Sequence, residues 1–454
     1  MRRILFVFSL ILNSLFSFSQ SDSIVIGKIA VEILTQSKAY ENLRTLTKSI
    51  GPRLSGSPQT YTSEKWGEEV LKKSGADRVY LEEAKIPHWV RGPKEKGVLI
   101  SGKSRENLAV IALGNSVATP PSGITAPVIL IHNFDELERR KGELKGNIVF
   151  YDYPFDLTNI WLFKSYSEAV TYRGSGASRA AKYGAVAVVV RSMTCSTDNL
   201  PHTGAMTYND SFPKIPALAI GLKDADKLAS AITRGSSPKL LLYTGAHKLP
   251  DTVGYNVVGE WRGSEFPDQI ITVGGHLDSW DPAEGAQDDG AGIVQSIEVM
   301  RALKAAGIRP RHTIRVVLFT DEENGGRGAK VYAHAAVTKN EKHIFALESD
   351  AGGFTPREFS FKGSEEQINA LRSWLPLFYR YGVTGFTANG GGSDVDALND
   401  STGVLVSELV PDSQRYFDYH HATSDTFEQV NKSEHELGAI NMAALIYMID
   451  KYGF

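Results

Sequence analysis

The sequence predicts an α/β protein: a three-layer α/β/α sandwich on a mostly parallel central sheet, interrupted by a second, smaller unit. Three observations lead there. Strand-like and helix-like stretches alternate through the C-terminal half, as they do where helices cover both faces of a parallel sheet. Residues 314–319, IRVVLF, form a near-continuous apolar run, suited to a strand buried on both faces. Near Ala118 the composition shifts to short strand-like runs with few charged ligand candidates.

Taken in order, residues 1–20 couple Arg2 and Arg3 to an apolar stretch that ends in Ser17-Phe18-Ser19. This reads as a secretory signal peptide removed after Ser19 or Gln20, and it predicts a secreted or periplasmic protein. The stretch is too short and interrupted for a stable membrane span. Residues 23–50 show helical spacing at Ile26, Ile29, Ile33 and Tyr40. GPRLSGSP marks a turn, and residues 60–73 are helical around Trp66, Val70 and Leu71. GVLISG and ENLAVIAL read as strands.

The interrupting block is expected over 121–246, which divides the main domain into 21–120 and 247–454. Its strand candidates are TPPSGITAPVILI, GNIVFYDYPF, AVAVVVRS and KIPALAI, with helices at 175–183 and in DADKLASAITRG. After it, IITVGGHLD is a strand, and residues 290–306 carry a helical stripe of Ile293, Ile297, Met300 and Leu303. Residues 328–336 and 365–381 are helix candidates; HIFALESD and GVLVSEL are strands. Ser433 with Glu436 resembles a capping box opening a last helix through residue 449.

Composition excludes several functions. Lys and Arg total 49 against 52 Asp and Glu, and loss of Arg2 and Arg3 takes the formal charge from −3 to −5. No basic patch marks a nucleic-acid partner. Cys195 is the only cysteine, so an internal disulfide and a two-cysteine metal or redox site are excluded. It reads as a small buried hydrophobe.

The chemistry gathers after the strands. His276 ends a strand in GGHLDSW and offers zinc a neutral nitrogen. Asp278, two residues on, faces the same side and can fix the imidazole's orientation. Asp288 lies in a glycine-bounded loop, where one carboxylate can put an oxygen on each of two cations; its neighbour Asp289 can cap the following helix. After the 314–319 strand, Glu323 is expected as a ligand and Glu322 as the general base. Asp350 precedes Gly352-Gly353, which allow the backbone to turn closely round an ion. His421, or its neighbour His420, completes the set; spacing alone does not choose between them. One metal would take His276, Asp288 and Asp350, and the other Asp288, Glu323 and the histidine. These oxygen and nitrogen donors suit two zinc ions, with cobalt or manganese as substitutes.

GGHLDSW, GAQDDGAG, FTDEENGGRGA, LESDAGG and YFDYHHATSDT, in that order, resemble the M28 family of metallopeptidases over nearly all of the chain beyond residue 20. The resemblance implies a zinc-peptidase fold split by a protease-associated insertion. It matches Glu322 to the general base, Asp278 to the supporting carboxylate, and His421 rather than His420 to the final ligand. No ligand of the pattern is missing, which argues against an inactive relative. It also implies a homodimer and cleavage of dipeptides or of terminal residues from short peptides.

For the substrate's termini and side chains, the candidates are Arg415 as a carboxylate reader, Tyr416, Tyr419 and His420 beside it, and Ser393 and Asp394 in the NGGGSD run. The competing functions are a zinc aminopeptidase on longer peptides, an N-acyl amino-acid amidohydrolase and a noncatalytic peptide-binding protein. A nucleophile in SMTCST lacks a persuasive base.

Overall fold

In a computed structural model, residues 21–453 are described; the expected signal peptide, residues 1–20, lies outside them. The main sheet contains β1 (Arg78–Val90), β2 (His247–Trp261), β3 (Phe266–His276), β4 (His312–Phe319), β5 (Lys342–Glu348), β6 (Pro356–Lys362), β7 (Gly385–Thr387) and β8 (Val406–Pro411). Their spatial order is β1-β2-β4-β3-β5-β8-β6-β7. The centre, β4-β3-β5-β8, is parallel. The pairs β1/β2, β2/β4 and β6/β8 are antiparallel.

Helices that cover the two units include α1 (Pro58–Lys73), α2 (Leu162–Ala181), α3 (Ala291–Ala305), α4 (Arg327–Thr338), α5 (Ser393–Thr402) and α6 (Lys432–Tyr452). Side chains of β4 alternate between the faces of the sheet, as a strand's period of two requires. Val316 and Leu318 enter a core with Leu71 of α1, Ile293 of α3 and Leu445 of α6. Val317 and Phe319 enter another with Tyr332 of α4 and Leu398 of α5. Both sets are buried, which makes this strand apolar throughout and gives the expected three layers.

A second sheet of eight strands occupies residues 96–243. Its strands Lys96–Ser101, Ser104–Leu108 and Val110–Ala112, expected in the main domain, join this sheet instead. They do so through Lys239–Tyr243 and Ala217–Ile220. Those partners are more than 100 residues away, so no local composition shift announces them.

Other boundaries differ for local reasons. Helix α2 starts at Leu162, not near 175. Gly174 and Gly176 weaken its helical signal, yet Gly176 is needed: a Cβ there would stand 2.7 Å from the Tyr151 ring. The helix expected over 365–381 stops at Arg372 and gives way to two 3-10 turns. Pro376, which has no N–H to donate, lies in the first of them. Asn431, rather than Ser433, caps α6, accepting from the N–H groups of Ser433 and Glu434. No described helix is long and apolar enough to cross a membrane.

The parallel centre positions the candidate site. His276, the last residue of β3, stands in register with Phe319, the last of β4, and Gly274 with Glu348, the last of β5. The loops carrying Asp288, Glu322–Glu323 and Asp350 therefore emerge side by side at the carboxyl ends of the strands, where ligands of open α/β sheets gather.

Candidate metal centre and cavity

The five expected ligands converge. His276 Nε2 lies 3.2 Å from Asp288 Oδ1 and 3.3 Å from Asp350 Oδ1. His421 Nε2 lies 3.2 Å from Asp288 Oδ2 and 3.1 Å from Glu323 Oε2. The two oxygens of Asp288 thus face different imidazoles. His420 is more remote: its Nε2 is 3.8 Å from Asp288 Oδ2, and its ring stacks on that of His421.

These donors fit divalent cations on three counts. Zinc ligands at about 2.0 Å in a tetrahedron stand about 3.3 Å apart, close to the spacings found. Asp288 Oδ2 and Asp350 Oδ1 face imidazole nitrogens but accept no hydrogen bond among the described residues; Glu323 Oε1 is likewise buried without one. Buried oxygens of this kind are costly unless a partner satisfies them. Finally, the carboxylates crowd one another. Burial, with Asp288 close by, pushes Glu323 up to about 7. Burial also holds Glu322 well above the usual carboxylate range, reinforced by Asp350 and Glu323. Burial works against charge on His421, yet Glu323 and Asp288 outweigh it and raise its pKa to about 9. Divalent cations would relieve this excess of negative charge.

Neighbouring groups fix the ligands in place. His276 Nδ1 is 3.0 Å from the main-chain carbonyl of Asp278 and 3.7 Å from its carboxylate. The carbonyl, rather than the expected carboxylate, is therefore the closer acceptor. The Asp278 carboxylate accepts from Ser55 Oγ and from the backbone N–H of Glu322, tying two loops of the site together. Asp289 accepts from the N–H groups of His276 and Gly292, matching its expected role at the start of α3. Asp425 accepts from the N–H groups of Gln287 and Asp288 and so holds the central ligand's loop. Gly352 turns with φ of 86° just after Asp350.

Arg53 was not legible as a site residue. It is fully buried and donates to the carbonyls of Leu277, Glu284 and Gly285, spanning the loop between His276 and Asp288. Burial lowers its pKa to about 10, which leaves it charged at neutral pH. Arg53→Met would strand these carbonyls and remove a cation facing Asp425 and Asp278. We expect a stability loss of about 3 kcal/mol or more, seen as a lower denaturation midpoint with an unchanged slope.

The centre opens on a cavity of about 440 Å³. Glu322 lines it, as do the expected candidates Ser393, Tyr416 and His420. Arg415 does not. It ion-pairs with both oxygens of Glu434 and lies over the Phe354 ring, so its charge is already engaged. Tyr419 stacks beside Phe354 away from the lining. Asp394 is buried behind the wall, its N–H bonded to Glu348.

The opposite wall comes from the second sheet's unit. Phe163, Tyr166 and Arg173 of α2 line the cavity. At 100° per residue they fall within about 80° of one helix face. That spacing was the available signal, but nothing in it says what the face meets. A loop of the same unit touches the candidate metal centre: Thr203 N–H donates to the His421 carbonyl, and its own carbonyl is 3.2 Å from His421 Nδ1.

Comparison with known proteins gives concordant results. The family described as Peptidase family M28 matches residues 256–446. Carboxypeptidase Q of Homo sapiens is 37% identical over 421 residues, spanning 93% of this chain and 87% of that protein. A crystal structure of a Peptidase M28 precursor from Shewanella amazonensis superposes with a TM-score of 0.91 at 32% identity, covering 96% of this chain and 98% of the other. A zinc aminopeptidase from Bacillus subtilis, at 20% identity and a TM-score of 0.65, covers 90% of this chain and 93% of its own and shares the fold.

Proposed function

Because the chain belongs to peptidase family M28 and is therefore a metallopeptidase, we propose that it hydrolyses dipeptides or short peptides at a two-zinc centre, outside the cytoplasm. The observation that carries this reading is Asp288, whose two oxygens each stand 3.2 Å from a different imidazole. His276, Asp288 and Asp350 would hold one ion; Asp288, Glu323 and His421 would hold the other. Cobalt or manganese suits the same donors. When bound, the metals supply Lewis acidity that acidifies water and polarises a carbonyl.

The chain's own groups do the rest. Glu322, on the cavity wall, takes a proton from the attacking water and returns one to the leaving amine. Asp278 is a positioning residue, holding the Glu322 backbone and, through its carbonyl, the His276 ring. The unit over residues 96–243 is read as an inserted domain of protease-associated type that closes the cavity. Export directed by residues 1–20 and assembly as a homodimer belong to the same reading.

The test is cleavage of matched dipeptides and longer peptides by chelated and zinc-restored protein, with products identified by mass. We expect zinc-dependent cleavage of dipeptides, or of single terminal residues from short peptides. Stepwise loss from the N-terminus of long peptides would make the protein an aminopeptidase instead. Two bound zinc ions with no peptide cleaved would sink the reading.

A further inference from the structure

Five carboxylates line the cavity, and four have a place in the proposed reaction: Asp288, Glu323 and Asp350 as ligands and Glu322 as the base. Glu408 is the fifth. It lies on β8, partly buried, and makes no hydrogen bond or ion pair among the described residues. Burial first, and then Glu348, Asp350 and Asp396, hold its carboxyl well above the usual carboxylate range. Asp396 has Lys362 as its cation, whereas Glu408 has none. A second acid beside it is also short of a partner. Glu348, the last residue of β5, stands in register with Glu408 across the parallel pair, so the two side chains share one face of the sheet. Glu348 is fully buried. Its Oε2 accepts from the N–H groups of Asp394 and Val395, while its Oε1 has no partner among the described residues. Buried acceptors left in this way are costly unless a donor reaches them.

We propose that Glu408, backed by Glu348, receives the cationic side chain of a lysine or arginine that precedes the scissile bond. Distance selects the side chain. Asp350, two residues beyond Glu348, belongs to the donor group of His276. One strand spacing to the side and two residues back along the chain put the Glu408 backbone about 8 Å from that of Asp350. A dipeptide's α-ammonium is two bonds from the scissile carbon and stays beside the candidate metal centre. A lysine ammonium, on its four-carbon stem, reaches further. The cavity's charge gives the direction. Arg173, the only lysine or arginine in its lining, stands against His421, at the other donor group. The acidic end is therefore the Asp350 end, and it suits the substrate residue that carries the free ammonium.

This inference names a substrate class for the proposed peptidase function and rests on it, and the test separates the two. Zinc-loaded wild type, Glu408→Gln and Glu408→Asp are assayed on lysyl-alanine and norleucyl-alanine, and on the reversed pair, alanyl-lysine and alanyl-norleucine. Zinc content is measured for each protein. Norleucine is lysine without its terminal ammonium, and both members of each pair carry a free α-ammonium, so that group's contribution cancels. A charge-assisted hydrogen bond supports an expected wild-type preference for lysyl-alanine of about ten- to a hundredfold in kcat/KM. Glu408→Gln should close that gap by losing far more on lysyl-alanine than on norleucyl-alanine, with zinc content unchanged. Glu408→Asp, which keeps the charge on a shorter stem, should retain part of the preference. Equal losses on both dipeptides would assign Glu408 a structural role and overturn the proposal. So would a wild type indifferent to lysine, or one that prefers it only in alanyl-lysine; neither result needs a variant to fold. If wild type cleaves none of these nor any other short peptide, the proposed function falls and takes this inference with it.

Discussion

Glu322→Gln is expected to lower turnover by about 10²- to 10⁴-fold while zinc content stays at the wild-type level. That loss corresponds to about 3–5 kcal/mol of transition-state stabilisation. Glutamine keeps the size of the side chain but cannot take a proton from water. The backbone is not disturbed, because the bond from Glu322 N–H to Asp278 does not involve the side chain. The adjacent residue provides the contrast. Glu323 Oε2 faces His421 Nε2 at 3.1 Å, so Glu323→Gln should lower metal content together with activity. Metal analysis alongside single-turnover rates distinguishes the two carboxylates. Undiminished turnover of a fully loaded Glu322→Gln protein would remove Glu322 from proton transfer.

That the sequence suggests different roles for these neighbours follows from the fold. Each proposed ligand except His421 lies within a few residues of the C-terminal end of a strand or in the loop that follows one, so local patterns such as an apolar run before acids and glycines report its place; a short helix, Tyr416–Tyr419, separates His421 from its strand. His276, Asp288, Glu323 and Asp350 are proposed on such patterns, whereas spacing leaves His421 and His420 undecided and only the resemblance selects His421. The engagement of Arg415 by Glu434 and the arrival of Arg173 in the cavity wall were not legible. Arg415 sits in the motif-bearing loop, but Glu434, nineteen residues later, engages it. Arg173 reaches the site only because α2 is laid across it from another sheet, and no spacing along the chain encodes that contact. Strand β1 illustrates a second limit. Glu82, Glu83 and Lys85 give it a polar look, and Pro87 lies at a register shift between Ile86 and His88. Edge strands tolerate both features, and both mask a strand in sequence.

Asp288→Asn is expected to lose both metals, a larger defect than removal of any other single ligand. The reasoning is geometric. Oδ1 faces His276 and Oδ2 faces His421, so one neutralised side chain weakens both donor groups at once. The amide nitrogen of asparagine is also a donor, unsuited to face a cation. His421→Ala should instead empty one group and leave His276, Asp288 and Asp350 able to hold the other ion, giving about half the wild-type zinc after dialysis. His420→Ala completes the series. Its Nε2 is 3.8 Å from Asp288 Oδ2, against 3.2 Å for His421, and its ring lies stacked on the ligand rather than opposite Glu323. It should retain nearly full metal content and lose activity only modestly, through a less rigid His421. Zinc measured by atomic emission across the three variants orders them without reference to any substrate. Loss of metal from His420→Ala with retention in His421→Ala would exchange the two histidines' roles. Full zinc in Asp288→Asn would remove the shared carboxylate from the metal centre.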